Sequence, residues 1–175
     1  MSRRTTSPRP QEWKKLIDKY QNTSDRSVAI LSTTQLMIRL GNLLATFMVD
    51  NQGIRKRLLK EGQPLGTFGV RVDLAFGLGL ISPKEFHDLK VIELIRDQFL
   101  DEARGGNFTD DGVQERCYML KLPREVLLPD QTTTPRRFFI FATTLLLQQI
   151  VFRTRKIENQ RRKPPEDFIL MNAKR

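Results

Sequence analysis

Between residues 62 and 108 the chain starts and stops helices in a fixed order, which limits its fold more than any other stretch. Gly62-Gln63-Pro64 breaks one helical run. Phe68, Val72, Ala75 and Phe76 then recur at helical spacing, which predicts a helix over 67–78 with Gly79 as its C-terminal cap. Ser82-Pro83-Lys84-Glu85 supplies an N-cap, a proline in the first turn and a glutamate able to close a capping box. Phe86, Leu89, Ile92, Ile95 and Phe99 follow on one face to about residue 102, before Gly105-Gly106-Asn107 breaks the chain again.

The flanks read the same way. Trp13, Leu16, Ile17 and Tyr20 predict a short amphipathic helix over 11–20, and 27–49 predicts a long central one. Asp50 is placed to cap a helix over 51–61, and Thr109-Asp110-Asp111 one that reaches toward Leu120. Residues 122–134 hold two prolines and three consecutive threonines and read as a loop. Pro135 opens a last helix that extends to about Lys163, where Pro164-Pro165 stops it. No run alternates with strand period. The expectation is an all-α, single-domain bundle of five to six helices over residues 11–163. A disordered basic arm (1–10) and a basic tail (164–175) flank it.

Charge is concentrated at the ends of the 175-residue chain. Of a formal net charge of +10, residues 1–20 carry +4 and residues 153–175 carry +5, leaving +1 between them. Such concentrations attract polyanions without sequence preference. The candidate nucleic-acid contacts are Arg55, Lys56 and Arg57, with Arg153, Arg155, Lys156, Arg161, Arg162 and Lys163 on the last helix. No aromatic residues are interleaved with them, so no single-strand stacking platform is evident. The bland alternative is a set of solvated charges that keep the protein soluble. The connection at 78–81 invites comparison with a helix-turn-helix, but the helix after it is too apolar to read bases.

Other chemistries are narrowed by what the chain lacks. One histidine, His87, and one cysteine, Cys117, cannot assemble a zinc site of ordinary composition or an intrachain disulfide. His87 reads as a boundary residue, and Cys117 as a small buried apolar group. Gly77-Leu78-Gly79-Leu80-Ile81-Ser82 lacks the preceding strand that a dinucleotide fingerprint requires. No cofactor is expected. The 15-residue apolar run at 138–152 is shorter than the roughly 20 residues of a membrane span. The first ten residues have no apolar stretch behind them, so neither a membrane span nor a secretory signal is expected, and the reading is cytoplasmic. Asp73 and Arg96 fall on or near apolar faces, where a lone charge is costly. An ion pair between them, or one shared with Arg71, is expected to orient the two helices.

The central segment resembles the mannitol operon repressor (MtlR) family. In that family a Gly-Pro-Leu-Gly turn leads into a helix of the form Val-Arg-Leu-x-Leu-x-Tyr-Gly-Leu-Gly, followed by an Ile-Ser start. Here the matching residues are Gln63-Pro64-Leu65-Gly66, then Val70-Arg71-Val72-Asp73-Leu74-Ala75-Phe76-Gly77-Leu78-Gly79, then Ile81-Ser82. Asn107-Phe108-Thr109-Asp110-Asp111 also resembles a family stretch, so the likeness covers about residues 60–120. It implies negative regulation of transcription; since no DNA-reading element is recognisable, the expectation is a non-enzymatic, repressor-like regulator that acts through a protein partner, with auxiliary nucleic-acid contact by the basic termini. A homo-oligomer is compatible with it.

The segment is also similar to HEPN-like helical proteins, many of which carry Arg-Asn-x-Phe-Ala-His for RNA cleavage. Here the positions hold Arg96-Asp97-Gln98-Phe99-Leu100-Asp101, with Asp101 in place of the imidazole. The alternatives are therefore a HEPN-like ribonuclease or toxin-related protein with a degenerate motif, and a plain interaction scaffold.

Overall fold

The structure, a computed structural model, describes residues 18, 20, 22–101, 106–126 and 134–166. Among them are seven α-helices and no strand, so the chain is all-α. The helices are α1 (Asp25–Phe47), α2 (Gln52–Leu59), α3 (Phe68–Gly77), α4 (Pro83–Leu100), α5 (Asp111–Met119), α6 (Leu122–Val126) and α7 (Pro135–Lys156). The predicted arm at 1–10 and most of the helix at 11–20 lie outside the described residues, as does the tail from residue 167.

α1 is the axis of the bundle and packs against α7, α3 and α4. Its 23 residues are long and apolar enough to cross a membrane, yet half of its most apolar window is buried in the protein. Leu36, Leu40, Leu43 and Leu44 are fully enclosed, which is the environment of a core helix. Ser24 starts it by accepting a hydrogen bond from the Ser27 amide.

α3 ends as the glycines predict. Gly79 has φ +69°, the Leu80 amide donates to the Ala75 carbonyl and the Gly79 amide to Phe76, which together form a Schellman stop. The capping box at Ser82 and Glu85 is present in both directions. Phe76 and Phe86 stack at 4.3 Å between centroids across this corner. Phe108 bridges Phe99 of α4 and Phe139 of α7 at 5.0 and 5.1 Å, so the turn before α5 is built into the core.

Three element boundaries differ from expectation. Asn51, not Asp50, caps α2 by accepting from the Ile54 amide. The predicted loop after Leu120 begins with a five-residue helix, α6. The last helix stops at Lys156 rather than near Lys163. Ile157 turns into the core, and a 3-10 turn, Glu158–Gln160, carries the chain back toward α1.

Candidate functional site

The charged residues of α3 and α4 do not pair as expected. Asp73 is exposed and faces Lys90 of α4 at 3.6 Å. Lys90 also holds Glu93 at 2.6 Å, and its pKa is raised, mainly by that hydrogen bond. Arg96 pairs with its own neighbour Asp97 at 2.6 Å and lies 5.6 Å over the Phe68 ring. The expected Asp73–Arg96 contact is thus replaced by two separate pairs, because the helical turn carries Asp73 outward.

Arg71 is the buried charge of the three, and main-chain oxygens satisfy it rather than a carboxylate. Its guanidinium donates to the carbonyls of Leu65 at 2.7 Å, Met37 at 2.8 Å and Leu59. These lie at the Gly66 turn, in mid α1 and at the end of α2, so one side chain ties three segments together. Burial lowers the Arg71 pKa. Gly41 of α1 makes room for it, since a Cβ there would sit 2.8 Å from Arg71 Nη1.

The basic residues named from sequence divide into two groups. Arg153 is bound to Glu85 at 2.9 Å and pins the end of α7 to the capping box of α4, while Arg155 and Lys156 follow on the last turn. Arg161 and Arg162 reach instead the connection between α1 and α2. Asp50 accepts a hydrogen bond from Arg55 of α2 and forms an ion pair with Arg161, whose Nη1 lies 2.9 Å away without hydrogen-bond geometry. The Arg162 amide donates to the Phe47 carbonyl at 2.8 Å, and its guanidinium lies 4.9 Å over the Phe47 ring. Lys56, Arg57, Arg162 and Lys163 remain exposed. Two basic runs about a hundred residues apart in sequence therefore meet at Asp50 through Arg55 and Arg161.

The remaining candidates have structural surroundings. Cys117 is fully buried, and burial pushes its thiol pKa up to about 12. His87 is partly exposed, its Nδ1 3.0 Å from the buried Asp88. Asp88, not singled out from sequence, accepts the amides of Lys121 and Leu122 at 2.8 Å each and so starts α6. Asp25 likewise accepts the Phe108 amide at 3.0 Å and an ion pair from Arg136, which also donates to Tyr20 O at 2.8 Å. No group of three or more potential metal ligands occurs among the described residues. The exposed cations can attract anions electrostatically.

Residues 47–130, which span α2 to α6, match a family model described as mannitol repressor. That segment belongs to the mannitol repressor family. Two mannitol operon repressors, from Escherichia coli K12 and from E. coli O6:H1, are each 28% identical over 89 residues. The aligned region is 48% of this chain and 46% of theirs, so the chain spans about half the length of the curated relatives it matches. The fold is shared with two solved structures. The E. coli MtlR-HPr complex matches with TM-score 0.64 and 20% identity, covering 79% of this chain and 97% of that one. A possible transcriptional regulator, YggD from Shigella flexneri, matches with TM-score 0.60 and 13% identity, covering 88% and 99%. Arg55, Lys56 and Arg57 lie inside the mannitol repressor segment, whereas the basic residues of 153–163 lie beyond it.

Proposed function

We propose that this protein is a non-enzymatic, cytoplasmic, repressor-like regulator of transcription. In this reading it acts through a protein partner, and its basic residues add salt-sensitive contact with nucleic acid. The observation that carries the reading is the mannitol repressor match over residues 47–130. A fold neighbour solved together with HPr supports a protein partner, and HPr is the first candidate to titrate. The exposed apolar side chains of Val70 and Phe76 on α3 and of Leu78 just after it suit such a contact better than they suit water.

Direct base reading is not supported by α4. Its inward face is core, with Leu89, Ile92, Ile95 and Phe99 enclosed, and its exposed positions include Lys84, Leu94, Asp97 and Leu100. A recognition helix needs polar side chains aimed at base edges. Nor does the degenerate Arg96 motif favour cleavage, since Asp97 holds the guanidinium and Asp101 adds a second carboxylate near any incoming phosphate. The lone imidazole, His87, is nine residues back on the same helix, about 13 Å along its axis.

The test incubates purified protein with RNA and, separately, titrates it with HPr by calorimetry. The reading predicts heat of binding and intact RNA. RNA cleavage that disappears in Arg96→Ala would establish the ribonuclease alternative instead.

A further inference from the structure

We infer that α2 and the segment after α7 form one composite binding surface for the phosphate backbone of duplex DNA. This rests on the nucleic-acid contact proposed above and gives it a location. Residues 50–61 and 157–163 together carry seven basic side chains and three acidic ones. The fold, rather than the chain's order, brings residues 161 and 162 to the start of the first of these segments. Ile157 is buried, the Arg162 amide is bonded to the Phe47 carbonyl, and Asp50 holds Arg55 and Arg161 at once. Arg55 and Arg161 are thereby paired with one carboxylate, and Lys56, Arg57, Lys60, Arg162 and Lys163, near them in sequence, are exposed.

The chemistry favours a duplex over a single strand. Stacking on unpaired bases needs an open aromatic face. The aromatic ring at this surface, Phe47, is covered by the Arg162 guanidinium. What remains is a set of exposed cations, which suits phosphates and carries no base information. Loose basic tails would also bind DNA, but they would not need α2 or Asp50. That difference makes the surface testable.

The experiment measures binding of the full chain to a fluorescent DNA duplex by anisotropy across a salt series. Three charge-matched double variants are compared: Lys56→Gln with Arg57→Gln, Arg162→Gln with Lys163→Gln, and Lys174→Gln with Arg175→Gln as the control. Circular dichroism checks that each is folded. Each lost phosphate contact should lower the logarithmic salt slope by about 0.9. For either composite-surface variant, the affinity drop between about 50 and about 200 mM salt should therefore shrink by about tenfold. The control should match wild type.

A fourth variant, Asp50→Ala, separates geometry from net charge. It makes the protein more positive yet releases the tie between the halves, so the composite surface predicts weaker binding. Tighter binding would overturn the inference. So would an α2 variant that binds like wild type, or a control that loses as much as the others; either result leaves nucleic-acid contact standing but moves it elsewhere. If wild-type protein binds no duplex even at the lowest salt, the nucleic-acid part of the proposed function falls with it.

Discussion

Arg71 shows most clearly how one residue can hold this molecule together. Its three carbonyl partners are half-buried; removing the guanidinium takes its hydrogen bond from those of Leu59 and Leu65, while Met37, inside α1, keeps the amide four residues on. Arg71→Ala is expected to cost about 3 kcal/mol in chemical denaturation, because an unsatisfied buried polar group costs about 1–3 kcal/mol. Gly41→Ala should destabilise the wild type, since the new methyl meets a guanidinium that three hydrogen bonds hold in place. In the Arg71→Ala background the same change should turn neutral or stabilising by up to about 1 kcal/mol, the ordinary gain of alanine over glycine in a helix. A double-mutant cycle reads the reversal directly. Sequence reasoning singled out Arg71 as charged and near an apolar face, but it assigned carboxylate partners. Main-chain acceptors leave no trace in the identity of the residues that supply them.

Cys117 and Tyr20 make a pH prediction at the same scale. Burial pushes both acids up to about 12, from ordinary values of 9.0 and 10.0. Below about pH 8 both groups are largely protonated in folded and unfolded chains alike, so their contribution is nearly constant there. Above it the unfolded chain ionises first, Cys117 before Tyr20, and stability falls as pH rises from about 8 toward 12. Denaturation midpoints measured at pH 7, 9 and 10.5 check the direction. Iodoacetamide at neutral pH should leave Cys117 unmodified until the protein unfolds.

Among the elements, legibility followed the range of the interactions. The Gly79 stop and the Ser82–Glu85 box use neighbours within five residues, and both could be read from the chain. The start of α6 could not, because its amides are capped by Asp88, more than thirty residues away. Leu122-Pro123 alone looks like a loop. The end of α7 was missed for a related reason. Nothing local to Ile157 stops a helix; the core and the Phe47 carbonyl redirect the chain there. Asp88→Asn is therefore expected to cost about 2 kcal/mol, since a charge-assisted bond to an amide is replaced by a weaker one and a buried donor gains no acceptor. Hydrogen exchange should show the loss as faster exchange at Lys121 and Leu122, with the amides of α1 still protected. Ser82→Ala should cost about 1 kcal/mol, the usual value of an N-cap side chain.

For the whole molecule, the all-α class and the family likeness were both legible, because helical periodicity and the glycine-proline punctuation are dense between residues 62 and 108. The composite basic surface was legible only as two separate runs. Their union depends on a fold that returns residue 161 to residue 50, and periodicity carries no information about that return. The same architecture leaves α4 a core element, which is why the account assigns repression to a partner rather than to base reading. The most direct measurement is the change in transcript levels when the chain is induced in a cell that lacks it, beside an Arg96→Ala version. For a non-enzymatic repressor, a small set of transcripts should fall equally in both, with the RNA uncut. Unchanged transcripts, or cleaved RNA that disappears with Arg96, would contradict that role.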